Sequence, residues 1–85
     1  MMEPTTIQRL IETALPNCTA KVIDDNDDRV HFRAEVVSSA FEGISLVKQH
    51  QLVYKALGNH MVSDIHALAL KTFTPSGWAS AQEAK

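Results

Sequence analysis

One stretch of alternating apolar residues and one short apolar run, separated by a stretch with helical periodicity, constrain this chain more than any other feature. In "VHFRAEVV" Val30, Phe32, Ala34 and Val36 alternate with His31, Arg33 and Glu35, the period of a strand with one buried face. From Ser45 the period becomes helical: Leu46, Val47, His50, Val53, Tyr54, Leu57 and Met61 form one stripe, with Lys48, Gln49, Gln51 and Lys55 away from it. A second strand-like run follows over residues 65–72. A strand–helix–strand connection of this length predicts parallel strands joined by a right-handed crossover.

The flanking segments fit around that unit. Ile7, Leu10, Ile11 and Ala14 give a helix over about 5–15, with Thr5 and Gln8 spaced as a capping box and Pro16 closing it. "CTAKVIDD" reads as a short strand, with Ala20 and Val22 on one face, leading through the polar "DDNDDR" into the next strand as an antiparallel hairpin. Gly58 either ends the long helix or sits inside it, and Met61 on the stripe favours continuation. In "FTPSGW" Thr74 is an N-cap, Pro75 belongs at the first helical position, and Phe73 and Trp78 are spaced as a hydrophobic staple. The order is α-β-β-α-β-α: an α+β single domain over residues 1–85, with a three-stranded mixed sheet and helices packed on one face.

Composition narrows the function classes. The chain has 85 residues, one cysteine and a net charge of −2. One cysteine permits no internal disulfide and no cysteine-built zinc site from this chain alone. The N-terminus lacks a basic stretch followed by an apolar run, and no run approaches the ~20 apolar residues of a membrane span. The expectation is a soluble cytoplasmic protein. Domains that bind nucleic acid are usually basic with clustered Lys or Arg, whereas the eight basic residues here are scattered. No serine or cysteine is paired with a base, and there is no glycine-rich phosphate loop or catalytic carboxylate pair, so nothing points to an enzyme.

The histidines are the remaining chemistry. If the second and third strands are parallel neighbours, His31 and His66 stand at the same end of the sheet, with strands ~4.8 Å apart. Neutral imidazoles there could converge on one zinc or iron ion, to be released by protonation. Strand parity places His66 with Leu68 and Leu70 and His31 on the other face, so the rings meet only if His66 precedes the regular strand or the edge twists. The ordinary reading of a lone histidine is structural. His50 reads as a core-boundary residue and His60 as a solvated helix end. Cys18 is remote from His31 and has no basic neighbour, so it reads as inert. Asp24, Asn26, Asp28 and Glu35 fall at positions 1, 3, 5 and 12 of a calcium loop, but Arg29 stands where glycine is required, and a solvated turn is the simpler reading.

"FEG" at 41–43, "KQHQLVY" at 48–54 and "HALALKTFTP…W" from 66 to 78 together resemble the BolA family, in particular its short bacterial IbaG-like branch. The resemblance covers roughly residues 5–80 and implies a core similar to the type II KH fold. It implies a partner, a monothiol glutaredoxin of the CGFS type, with which a [2Fe-2S] cluster is shared. The glutaredoxin cysteine and a glutathione thiol supply two ligands, and His66, at the start of the last core strand, supplies another. A second family ligand, Cys or His, comes from the region between the first two strands, and His31 fits the His-type variant. Alone, such a protein is expected to be a monomer or weak homodimer without the cluster. Two other readings stand beside this one. A DNA-binding regulator would use Lys48, Lys55, Arg33 and Lys71, although the G-x-x-G clamp of KH domains is replaced by "FEGISL". A metal-free interaction module would use His66 only as a hydrogen-bonding group.

Overall fold

The computed structural model describes residues 3–29, 31–63, 65 and 67–83. Helix α1 (Pro4–Ala14) leads to strand β1 (Thr19–Ile23), strand β2 (His31–Val37) and a 3-10 turn at Ser39–Phe41. Helix α2 (Leu46–Leu57), a short helix α3 (His60–Ser63), strand β3 (Ala67–Phe73) and helix α4 (Pro75–Glu83) follow. The sheet order is β1-β2-β3, with β1 antiparallel and β3 parallel to β2, as the alternation and the helical insert predict.

One face of the sheet carries the core. Ala20, Val22, Phe32, Ala34 and Val36 point inward and meet Ile7, Ile11 and Leu15 at the first helix, Val53 and Leu57 of α2, Phe41 and Ile65. Each large aliphatic or aromatic side chain buried this way stabilises the fold by about 1.5–3 kcal/mol. The helices α1 and α2 cover this face. α4 begins with the expected devices: the Thr74 hydroxyl accepts from Gly77 N–H at 3.0 Å, and Phe73 and Trp78 meet edge to face with centroids 5.0 Å apart. Phe73 has outward parity on β3, so the staple turns Trp78 toward the other face, where it shares a shallow hollow with Thr19, Lys21, Glu35 and Val37. The helical cover expected on one face thus gains a contribution on the second.

Three local expectations are corrected. The capping box at Thr5 and Gln8 does not form. Pro4 occupies the first turn, Glu3 is the N-cap without a side-chain bond, and Gln8 is used elsewhere. Its Oε1 accepts from Val22 N–H at 3.0 Å, and Glu12 Oε2 accepts from Ala20 N–H at 2.9 Å. Residues four apart on a helix advance about 6 Å and residues two apart on a strand about 6.8 Å, so the two side chains match alternate donors along the outer edge of β1.

Helix α2 does not run through Gly58. That residue adopts φ 54°, a left-handed conformation in which a side chain would be strained, and its N–H closes the helix on Tyr54 O at 2.9 Å. Finally, the buried face of α2 is turned from the expected stripe. Val53 and Leu57 are buried, whereas Leu46 and Val47 are 61% and 66% exposed and Tyr54 is also exposed. Gln49, expected to face solvent, points inward. Its Nε2 donates to Phe41 O and Ile44 O, each at 3.2 Å, and its Oε1 accepts from Thr72 Oγ1 at 2.6 Å.

Candidate functional site

The end of the sheet where β2 and β3 begin carries His31. His31 opens β2 and pairs in register with Ala67, the first residue of β3. His66, the residue before Ala67 in the chain, lies outside the described residues. The parallel register that brings the two strand starts together is the arrangement the sequence predicts.

His31 is held by the loop before it. Its ring Nδ1 lies 2.7 Å from Asp28 Oδ2, and its backbone N–H donates to Asp28 Oδ1 at 3.0 Å. The ring is 43% exposed. The loop itself is built around Asp24, whose side chain is only 4% exposed. Asp24 accepts from the backbone N–H groups of Asp28 at 3.2 Å and Arg29 at 2.9 Å, and from Arg29 Nη1 at 2.7 Å. Arg29 also reaches Glu3 at 3.4 Å. Burial opposes ionisation of Asp24, but the hydrogen bonds from the Arg29 side chain and the two amides, with the guanidinium charge, hold its carboxyl below the usual range. Asp27 and Arg29 take φ values of 54° and 63°, conformations that cost a side-chain-bearing residue about 1–2 kcal/mol each. The stretch read as a solvated turn is an exposed turn, as expected, and the Asp24 carboxylate organises it by gathering donors from Asp28 and Arg29. Asp24 and Asp28 are engaged by Arg29 and His31 and do not converge on a cation.

The other candidates lie elsewhere. Arg33 is on the outward face of β2 and pairs with Asp25 at 3.0 Å, which raises its pKa further, chiefly through that hydrogen bond. Lys71 has the same outward parity and stands across from Glu35. Lys48 and Lys55 lie on α2 over the inner face, flanking a groove floored by Ala40, Ile44 and Leu52. The four basic residues therefore do not share one surface. His50 makes an edge contact with Tyr54 at 6.4 Å between centroids, and His60 is half-buried in α3. Cys18 precedes β1 at the Val37 end of the hairpin, about 20 Å of strand from His31. Burial, aided by the Glu12 carboxylate, pushes its thiol up to about 11, so little thiolate forms at neutral pH. Among the described residues no three His, Cys, Asp or Glu side chains are gathered as a metal site. Sequence reasoning weighed Asp28 only as a calcium-loop carboxylate and missed its pairing with His31. Their spacing of three, at a turn before a strand, is the signal that could have found it.

Fold and site together define a small α+β domain with a three-stranded mixed sheet and a carboxylate-held histidine at one sheet end. The model of the BolA family, described as BolA-like protein, matches residues 2–77. The chain belongs to the BolA family. It is 46% identical to a BolA homologue of known structure from Coxiella burnetii, with a TM-score of 0.75, covering 93% of this chain and 99% of that one. BolA-like protein 1 of Mus musculus is 48% identical over 48 residues, which is 56% of this chain and 35% of that protein. The DNA-binding transcriptional regulator BolA of Haemophilus influenzae is 42% identical over 53 residues, 62% of this chain and 52% of that protein. The matched segment thus spans about a third to a half of these curated relatives' length.

Proposed function

We propose that this protein is a non-enzymatic partner of a monothiol glutaredoxin, with which it shares a [2Fe-2S] cluster and so modulates cluster assembly, trafficking or iron and stress sensing. The observation that carries the reading is the pairing of His31 with Ala67, which sets one imidazole beside the strand start that His66 precedes in sequence. Membership of the BolA family supports it.

The donor set fits the group. Two imidazoles can ligate one iron but cannot complete a cluster, so thiolates must come from a second molecule: the glutaredoxin cysteine and glutathione. Histidine ligation raises the potential of the cluster relative to an all-thiolate one and requires neutral rings. In this reading His31 and His66 are the ligands. Asp28 holds the first, and the pairing of His31 with Ala67, the residue after His66 in sequence, supports the choice of the second.

The test is to mix the protein with a monothiol glutaredoxin, glutathione, iron and sulfide, then to measure visible absorption, circular dichroism and bound iron and sulfide. The heterocomplex should give a spectrum different from that of glutaredoxin alone, and His66→Ala should abolish the difference. Identical spectra for mutant and wild type would defeat the proposal.

The name of the Haemophilus influenzae relative supports a DNA-binding alternative. Against it, Arg33 is paired with Asp25, and Lys71 stands on the opposite sheet face from Lys48 and Lys55. DNA affinity that falls steeply with salt, and vanishes on removal of both α2 lysines, would favour this alternative.

A further inference from the structure

We infer that Asp28 is a positioning residue for the metal site, fixing the tautomer and direction of His31 so that Nε2 is the coordinating atom. The inference rests on the reading of His31 as an iron ligand.

Both oxygens of one carboxylate grip the same residue: Oδ1 takes the His31 backbone N–H at 3.0 Å and Oδ2 lies 2.7 Å from ring Nδ1. A carboxylate only accepts, so Nδ1 carries the proton in this pair. A neutral ring protonated at Nδ1 has its lone pair on Nε2. The double grip also fixes the ring relative to the backbone, since the two anchor points lie on either side of the side-chain torsions.

The carboxylate is itself placed. Asp28 N–H is bound by Asp24 Oδ1, the next amide by Asp24 Oδ2, and Arg29 ties Asp24 to Glu3 beside the first helix. Asp27 and Arg29, on either side of Asp28, both take left-handed backbone conformations, which reverse the chain and bring that carboxylate over the start of β2. A turn that only joined two strands would need neither the ion pair nor the strained residues. The arrangement has the form carboxylate–histidine–metal, in which the outer partner orients the ligand and its loss typically lowers metal affinity 10–100-fold.

The tautomer is read in the full-length protein without metal, at mildly alkaline pH, by long-range proton–nitrogen correlation of the imidazoles. Wild type should show His31 protonated at Nδ1. Asp28→Ala and Asp28→Asn should both shift it toward the Nε2-protonated form, with the remaining backbone resonances confirming the fold. In the cluster-bearing heterocomplex the same variants should lose cluster to a chelator at about 10–100-fold lower competitor concentration. A wild-type ring protonated only at Nε2 overturns the inference. So does an unchanged chelator midpoint in both Asp28 variants when His31→Ala loses the cluster, an outcome that leaves the ligand reading intact. Full cluster retention by His31→Ala instead sinks the ligand reading of His31, and the role of Asp28 with it.

Discussion

Among the described residues Ser38 is the fully buried polar one, and its removal gives the sharpest stability test. It sits where β2 ends. Its Oγ donates to Pro16 O at 2.6 Å and accepts from Ala40 N–H at 3.1 Å, and its own N–H donates to Phe73 O at 3.1 Å. One residue thus ties the α1–β1 connection, the 3-10 turn and the end of β3. Ser38→Ala keeps the backbone bond and deletes two side-chain bonds. At about 1 kcal/mol each, the loss is about 2 kcal/mol. In a domain of this size 1 kcal/mol moves the melting midpoint by about 4–8 °C, so a drop of roughly 8–16 °C is expected. The assay is thermal and urea unfolding followed by far-ultraviolet circular dichroism, with Ser39→Ala as control. The Ser39 hydroxyl accepts only an exposed bond from Asn17 at 3.2 Å, so its loss should fall within about 0.5 kcal/mol. If Ser38→Ala melts no earlier than the control, the hydroxyl does not hold the α1–β1 connection to the 3-10 turn.

Two further outcomes follow from the loop and from the helix end. Because its partners hold the Asp24 carboxyl below its ordinary value of 3.8, its contribution is complete above that pH and is lost as pH falls through the lower folded value. Urea titrations over an acid series should therefore show Asp24→Asn less stable than wild type at neutral pH, with the gap closing in strong acid; a constant gap refutes this. Gly58→Ala should cost about 1–3 kcal/mol through backbone strain alone, since an added Cβ meets nothing nearer than Lys55 O at 4.0 Å. An unchanged urea midpoint would show that the helix end relaxes freely.

The strands, their pairing and the α4 staple were legible in the sequence because local pattern and tertiary environment agree there. Phe32, Ala34 and Val36 alternate and are buried, and Phe73 meets Trp78 as the staple spacing requires. The orientation of α2 was not legible. Val53 and Leu57 belong both to the expected stripe and to the buried face, so periodicity alone does not choose between rotations. Gln49 chooses, since two carbonyls and a threonine hydroxyl await its amide, and such partners come from elements remote in sequence. The same holds for Gln8, whose spacing from Thr5 predicts a cap on its own helix but whose bond lies on β1. For the candidate site, the convergence of the β2 and β3 starts was legible from topology. The ordering of the acidic loop was not, because Asp24, Arg29 and Glu3 act together only once the helix and hairpin have met.

The grip of Gln8 and Glu12 on alternate amides of β1 has a consequence for how copies of this molecule can associate. A newcomer strand on that flank would have to evict both side chains, and it would leave a carboxylate facing foreign backbone. Lateral extension is therefore confined to the β3 flank. A ribbon that can lengthen from only one side terminates after a single two-fold union, so the fold carries its own stop against fibril growth.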